Sequence, residues 1–139
     1  MKLLFLGDIV GRSGRTAVVD ALPDLRRDLK LDFVVVNAEN SASGYGMTAA
    51  IAADLIAAGA DVLTLGDHAF DQKEMLGYID REPRILRPIN FARQAPGRGA
   101  GVFEATRGRR VQVAVALGRV FMNKPIDDPF SALDRAIKT

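Results

Sequence analysis

Three short apolar runs, each stopped by a polar loop, constrain this chain more than any other feature. Residues 2–6 (KLLFL) run into GDIVGRSG, residues 33–36 (FVVV) into NAENSASGYG, and residues 61–65 (DVLTL) into GDH. Runs this short, closed by turn-forming residues, read as buried strands. Between them, residues 15–30 repeat apolar side chains at helical spacing: Val18, Val19, Leu22, Leu25 and Leu29. Pro23 interrupts that pattern and is expected to start, break or kink the helix. Residues 47–58 put Ile51, Leu55 and Ile56 on one face and meet a natural stop at Gly59. A third helix is expected over residues 71–81. Strands alternating with helices predict an α/β fold with a parallel, doubly wound sheet. The strands are apolar throughout, the pattern of a sheet whose two faces are both covered by helices.

From Pro83 the pattern changes. Prolines and glycines punctuate residues 83–101, and two strand-like runs follow at 101–106 and 110–117. The RGRR stretch between them predicts a C-terminal antiparallel hairpin. Residues 125–129 read as a loop and 131–138 as the start of an amphipathic helix that meets no stop signal. With 139 residues, a single domain is expected. A chain of this size buries roughly two thirds of its unfolded surface.

Several functions are excluded or disfavoured. With no cysteine, there is no disulfide, no thiolate metal site and no thiol nucleophile. One histidine excludes a multi-histidine site built from these residues alone. A net charge of +2 falls short of the clustered basic stripe that a stable nucleic-acid complex wants. The densest basic cluster, Arg107 to Arg110, reads as a turn. The first apolar run is too short for a signal peptide, and no stretch approaches the ~20 apolar residues of a membrane span. The chain is therefore expected to be cytoplasmic, with no membrane partner.

Ligands of open parallel sheets sit beyond the carboxyl ends of the strands. There the three loops deliver Asp8, then Glu39 and Asn40, then Asp67 and His68. Any one of these has a structural reading, as a helix cap, a turn residue or a satisfied loop histidine. All three strands delivering oxygen or nitrogen donors to one edge point to chemistry. Clustered carboxylates need a cation to offset their repulsion and desolvation. Manganese, iron, magnesium or zinc suits such donors. Gly7, Gly11 and Gly14 would let backbone amides approach a phosphate, with Arg12 or Arg15 adding charge or lying in solvent. Tyr45 is either a loop-packing aromatic or a platform for a base.

The segments GDIVGRSGR, NAEN, GDHAFDQKE, LRPIN and LGRVFM, in this order and spacing, resemble the YmdB-like branch of the calcineurin-like metallophosphoesterases. The resemblance spans essentially the whole chain and implies half of an α/β/β/α sandwich. It also implies a binuclear centre, commonly iron or manganese, that hydrolyses phosphodiesters including 2′,3′-cyclic nucleotides. By resemblance Asp8 binds one metal, Glu39 bridges both, Asn40 assists the first, and Asp67 stands at the ligand to the second. His68 matches the acid that protonates the leaving oxygen. Two departures stand out. The family motif GNH is GDH here, so a carboxylate replaces an amide. The family's further histidine and GxHxH-type pair have no match, so the domain at 1–139 is expected to be truncated relative to the family or a variant lacking half the site. Poor hydrolysis by this chain alone is then expected. Family resemblance also leans toward a homo-oligomer, whereas LRPIN and LGRVFM receive no catalytic role. Two other readings remain: a dinucleotide-binding module, which lacks the G-x-G-x-x-G spacing, and an inactive phosphoesterase-like module acting through protein or nucleotide contacts.

Overall fold

A computed structural model describes residues 1–138. β1 (Leu3–Leu6), β2 (Phe33–Asn37), β3 (Val62–Thr64) and β4 (Ile85–Leu86) form one parallel sheet in the order β1-β2-β3-β4. The register pairs Leu6 with Val36 and Asn37 with Thr64, so the carboxyl ends of β1, β2 and β3 lie side by side. α1 (Gly11–Asp28) and α2 (Ala49–Ala57) form the first two crossovers, and α3 (Met75–Tyr78) lies in the third.

The strand order never reverses. Right-handed crossovers that advance in one direction put every connecting helix on the same face. The sheet is thus singly wound, correcting the doubly wound expectation. Val34, Val36, Leu63 and Leu65 pack against Val18 and Leu22 of α1 and Ile51, Ala52 and Leu55 of α2. Phe33, Val62 and Leu86 point the other way, against Phe103, Val111, Val113 and Val115. That second layer is the expected hairpin, β5 (Ala100–Glu104) antiparallel to β6 (Arg110–Ala114). The uniformly apolar strands therefore report two covered faces, but a hairpin covers one of them. α4 (Pro129–Ile137) lies outside the hairpin, where Gln112 Nε2 donates to the Ala136 carbonyl at 2.8 Å. The layers run helix, sheet, hairpin, helix.

Local chemistry explains where elements differ from the sequence pattern. α1 starts at Gly11, earlier than expected, and runs through Pro23 without ending. An interior proline costs a helix about 3 kcal/mol. Full burial of Leu22, beside the buried Val18, offsets a comparable amount. α2 is started by Thr48, whose hydroxyl accepts the Ile51 amide at 3.2 Å. α3 is four residues long instead of the expected eleven or so: Asp71 bonds back to His68 and Gln72 bonds the Tyr45 carbonyl. Asp and Ser-like side chains compete with helix in this way. β4 lies within the proline-punctuated stretch and had no legible period at two residues.

The basic cluster in the hairpin is a structural buttress. Arg107 and Gly108 both adopt left-handed backbone in the turn. Arg109 pairs with Asp32 at 2.5 Å, and Thr106 donates its hydroxyl to the same carboxylate. Asp32 also accepts the Lys2 amide, so one carboxylate ties the hairpin to the starts of β1 and β2. These hydrogen bonds, Thr106 first, hold the Asp32 carboxyl down at about 2. Among the described residues no helix is long and apolar enough to cross a membrane.

Candidate active site

Each of the first three strands leads into a residue expected at the site, and the loops hold them by main-chain bonds. Ile9 N donates to Asn37 O at 3.2 Å and Gly11 N to Asn40 O at 3.0 Å, fastening the loop after β1 to the loop after β2. Ala38 N donates to Thr64 O at 2.9 Å, fastening that loop to β3. Asp8 adopts left-handed backbone at φ 48°, a conformation Asp tolerates better than most residues. Its carboxylate accepts Asn40 Nδ2 at 2.7 Å.

Glu39 is the unusual group. A Cβ on Gly66 would overlap its carboxylate, so only glycine there leaves room for it. Asn37 Nδ2 lies 3.5 Å from Glu39 Oε1, at the limit of a hydrogen bond. Glu39 Oε2 and Asn37 Oδ1 are buried and have no hydrogen-bond partner among the described residues. Burial, and then the charge of Asp67, push the Glu39 carboxyl above its ordinary value. Acceptors left bare in this way are expected to serve an absent cation or proton donor.

His68 is held on two sides. Its Nδ1 donates to Asp71 Oδ2 at 2.6 Å, and its ring meets Tyr45 edge-on with centroids 5.7 Å apart. Gln72 Nε2 donates to the Tyr45 carbonyl at 2.7 Å, holding the backbone that carries that ring. His68 Nε2 lies 3.7 Å from Asp67 Oδ2.

The five expected residues thus form two neighbouring groups, Asp8 with Asn40 and Glu39 with Asp67 and His68. They do not close into a metal sphere: among the described residues no set of three or more His, Asp or Glu side chains is placed to hold an ion. The bare oxygens fit a hard divalent cation, as a partial donor set. The phosphate-loop expectation fails at Gly11, Gly14 and Arg15. The Gly11 and Gly14 amides are spent on the Asn40 and Val10 carbonyls, and Arg15 donates to Ser41 O at 2.6 Å. Sequence reasoning missed Asn37, Asp71 and Lys124, whose ammonium donates to the main-chain oxygen of Asp67. Asp71 lay in plain view three residues after the single histidine.

A family model described as YmdB-like protein matches residues 4–139. The chain belongs to the YmdB-like family. It is 41% identical over 137 residues to the 2′,3′-cyclic-nucleotide 2′-phosphodiesterase of Bacillus subtilis, covering 99% of this chain and 51% of that relative. A crystal structure of a hypothetical protein from Thermus thermophilus superposes with a TM-score of 0.91 at 38% identity, over 99% of this chain and 53% of that one. A structure of a novel phosphatase from Mycoplasma pneumoniae gives 0.89 at 31% identity, over 99% and 50%. This YmdB-like chain spans about half the length of the relatives it matches.

Proposed function

We propose that this YmdB-like chain is a metallophosphoesterase-like domain, residues 1–139, that contributes one side of a divalent-metal phosphodiesterase site. The observation that carries the reading is the half-buried Glu39 carboxylate, its buried Oε2 bare, facing Asp67 at the carboxyl ends of the parallel strands. Asp8, Glu39, Asn40 and Asp67 would hold the metal, with Glu39 shared between two ions. The family resemblance favours iron or manganese; the oxygen donors by themselves suit manganese or magnesium, and zinc is compatible. Such ions supply Lewis acidity and charge neutralisation at the phosphoryl group. Donors beyond the partial set described above complete the centre.

The substrate is a phosphodiester, with 2′,3′-cyclic nucleotides the leading class, as the name of the Bacillus subtilis relative supports. In their hydrolysis water adds to phosphorus, the P–O2′ bond breaks, and the 2′ oxygen leaves needing a proton. Asp71 keeps one proton on His68 Nδ1, so Nε2 is the atom that holds and delivers the other. The Tyr45 ring and the Asp71 bond restrict rotation of the imidazole, which keeps Nε2 directed at one place. Asn40 holds the Asp8 carboxylate in position. The enzyme is cytoplasmic, works without a membrane or a stable nucleic-acid partner, and associates with itself.

Purified chain incubated with Mn²⁺ or Fe²⁺ and 2′,3′-cyclic AMP should give slow, cation-dependent release of 3′-AMP, abolished in His68→Ala. Turnover that survives EDTA, or that His68→Ala leaves intact, contradicts the assignment. One observation favours a second reading, an inactive module acting by protein contacts. Phe130 and Ile137 of α4 are 79% and 70% exposed, an apolar surface of the kind partners cover. Cation binding with no turnover on any diester supports that reading.

A further inference from the structure

Asn90 is fully buried and closes a loop. Its Nδ2 donates to Leu117 O at 2.8 Å and to Asp127 O at 3.0 Å, while its Oδ1 accepts the Leu117 amide at 2.9 Å. Its carbonyl accepts the Asp127 amide at 2.8 Å. Both ends of residues 117–127 are therefore tied to one side chain and its backbone. The loop so formed reaches the site, where Lys124 Nζ donates to the carbonyl of Asp67. Three residues earlier, Phe121 is 98% exposed and sits in left-handed backbone at φ 61°. A bulky side chain at positive φ is a conformational outlier. Outliers of this kind gather at ligand clamps, where the surrounding structure enforces them. Here the clasp at Asn90 and the turn closed by Met122 N on Arg119 O at 3.2 Å enforce it.

We propose that this clasped loop is the nucleotide-recognition element of the site, with Phe121 stacking on the base and Lys124 pairing with the phosphate. The inference rests on the phosphodiesterase reading above and adds what selects a nucleotide among diesters. An aromatic ring in solvent offers a platform that any base can use, since every base has a π-face. Lys124 brings positive charge to the main chain of Asp67, next to a carboxylate that would otherwise repel an anionic ligand. The ammonium needs only to leave a neutral carbonyl to reach a phosphate oxygen. Phe121 and Lys124 lie on the same short loop, as base and phosphate lie on the same small ligand.

Calorimetric titration of the full chain in Mn²⁺, with 3′-AMP and separately with inorganic phosphate, tests this. Phe121→Ala should weaken 3′-AMP about 5-fold or more, the low end for loss of a base-stacking aromatic, and leave phosphate unchanged. Phe121→Trp should restore the affinity, and Phe121→Leu, which keeps bulk without a π-face, should not. Lys124→Ala should weaken both ligands, and Lys124→Arg should retain both. Wild-type binding of both ligands with no effect of Phe121→Ala overturns the inference and leaves the phosphodiesterase reading standing. The same holds if Phe121→Ala alters only the oligomeric state seen by light scattering, which makes the ring an interface residue. Wild-type chain that binds neither ligand overturns both readings.

Discussion

Replacing Glu39 with glutamine should make the metal-free protein more stable while removing the group that makes the site a site. The carboxylate is raised above the ordinary glutamate value of 4.5, with burial the larger cause and Asp67 the next. A raised carboxyl resists ionisation in the folded chain, so stability falls as pH climbs through and above that ordinary value. Glutamine carries no charge to bury, and its amide can donate to Asp67. An unsatisfied buried polar group costs about 1–3 kcal/mol. Glu39 is only half-buried, so the lower part of that range applies, about 1–2 kcal/mol. For a chain of this length that raises Tm by roughly 3–8 °C. Thermal melts in EDTA should show the gain at pH 7 and its disappearance below about pH 4, where the wild-type carboxylate is itself protonated. Millimolar Mn²⁺ should reverse the order, since a ligand at 100 times its Kd stabilises by about 2.7 kcal/mol and only the wild type holds it well. A Glu39→Gln variant less stable than wild type in EDTA at neutral pH would refute the strained-carboxylate argument.

Gly66→Ala places a methyl group into the Glu39 carboxylate, and should cost about 1–3 kcal/mol in urea denaturation, as overpacking does; it should also weaken Mn²⁺ binding. Asp67→Asn removes a negative charge beside Glu39 and restores the amide of the family motif. It should raise turnover of 2′,3′-cyclic AMP with bound metal similar or slightly lower, as steady-state kinetics and metal analysis would show. Because hydrogen bonds hold Asp32 at about 2, the stability it contributes is present above its ordinary value of 3.8 and is lost as pH falls toward 2. Asp32→Asn should flatten that acid limb in circular dichroism titrations.

The legible parts of this molecule were those written in local period. The apolar runs of β1, β2 and β3, the stripe of α1 and the hairpin around RGRR all appear where side-chain spacing put them. The loops after the strands could be named because each strand stops at a polar residue. What the sequence concealed was set by distant partners. Pro23 is tolerated because Leu22 is anchored in the core, a fact of packing and not of propensity. α3 is short where Gln72 bonds the Tyr45 carbonyl, 27 residues away in sequence. The glycines of GDIVGRSG signal a tight turn in the same way whether their amides meet a phosphate or, as here, the Asn40 and Val10 carbonyls. Two-residue β4 carries too little pattern to read. Asn90 lies in LRPIN, a segment given no catalytic role, and its four hydrogen bonds to Leu117 and Asp127 join segments far apart in sequence. The five candidate residues lie along one sheet edge because they follow β1, β2 and β3, but their division into two groups depends on which side chains bond each other.

The bare oxygen of Glu39, facing Asp67, is proposed to mark a divalent-cation site. The most direct test is metal content by inductively coupled plasma mass spectrometry after dialysis against micromolar Mn²⁺ and gel filtration. Mn²⁺ should be retained by the wild-type chain and lost in Glu39→Gln, with Glu104→Gln, a carboxylate at the turn end of the hairpin, binding as wild type. Equal metal in wild type and Glu39→Gln, or none in either, would contradict the proposal.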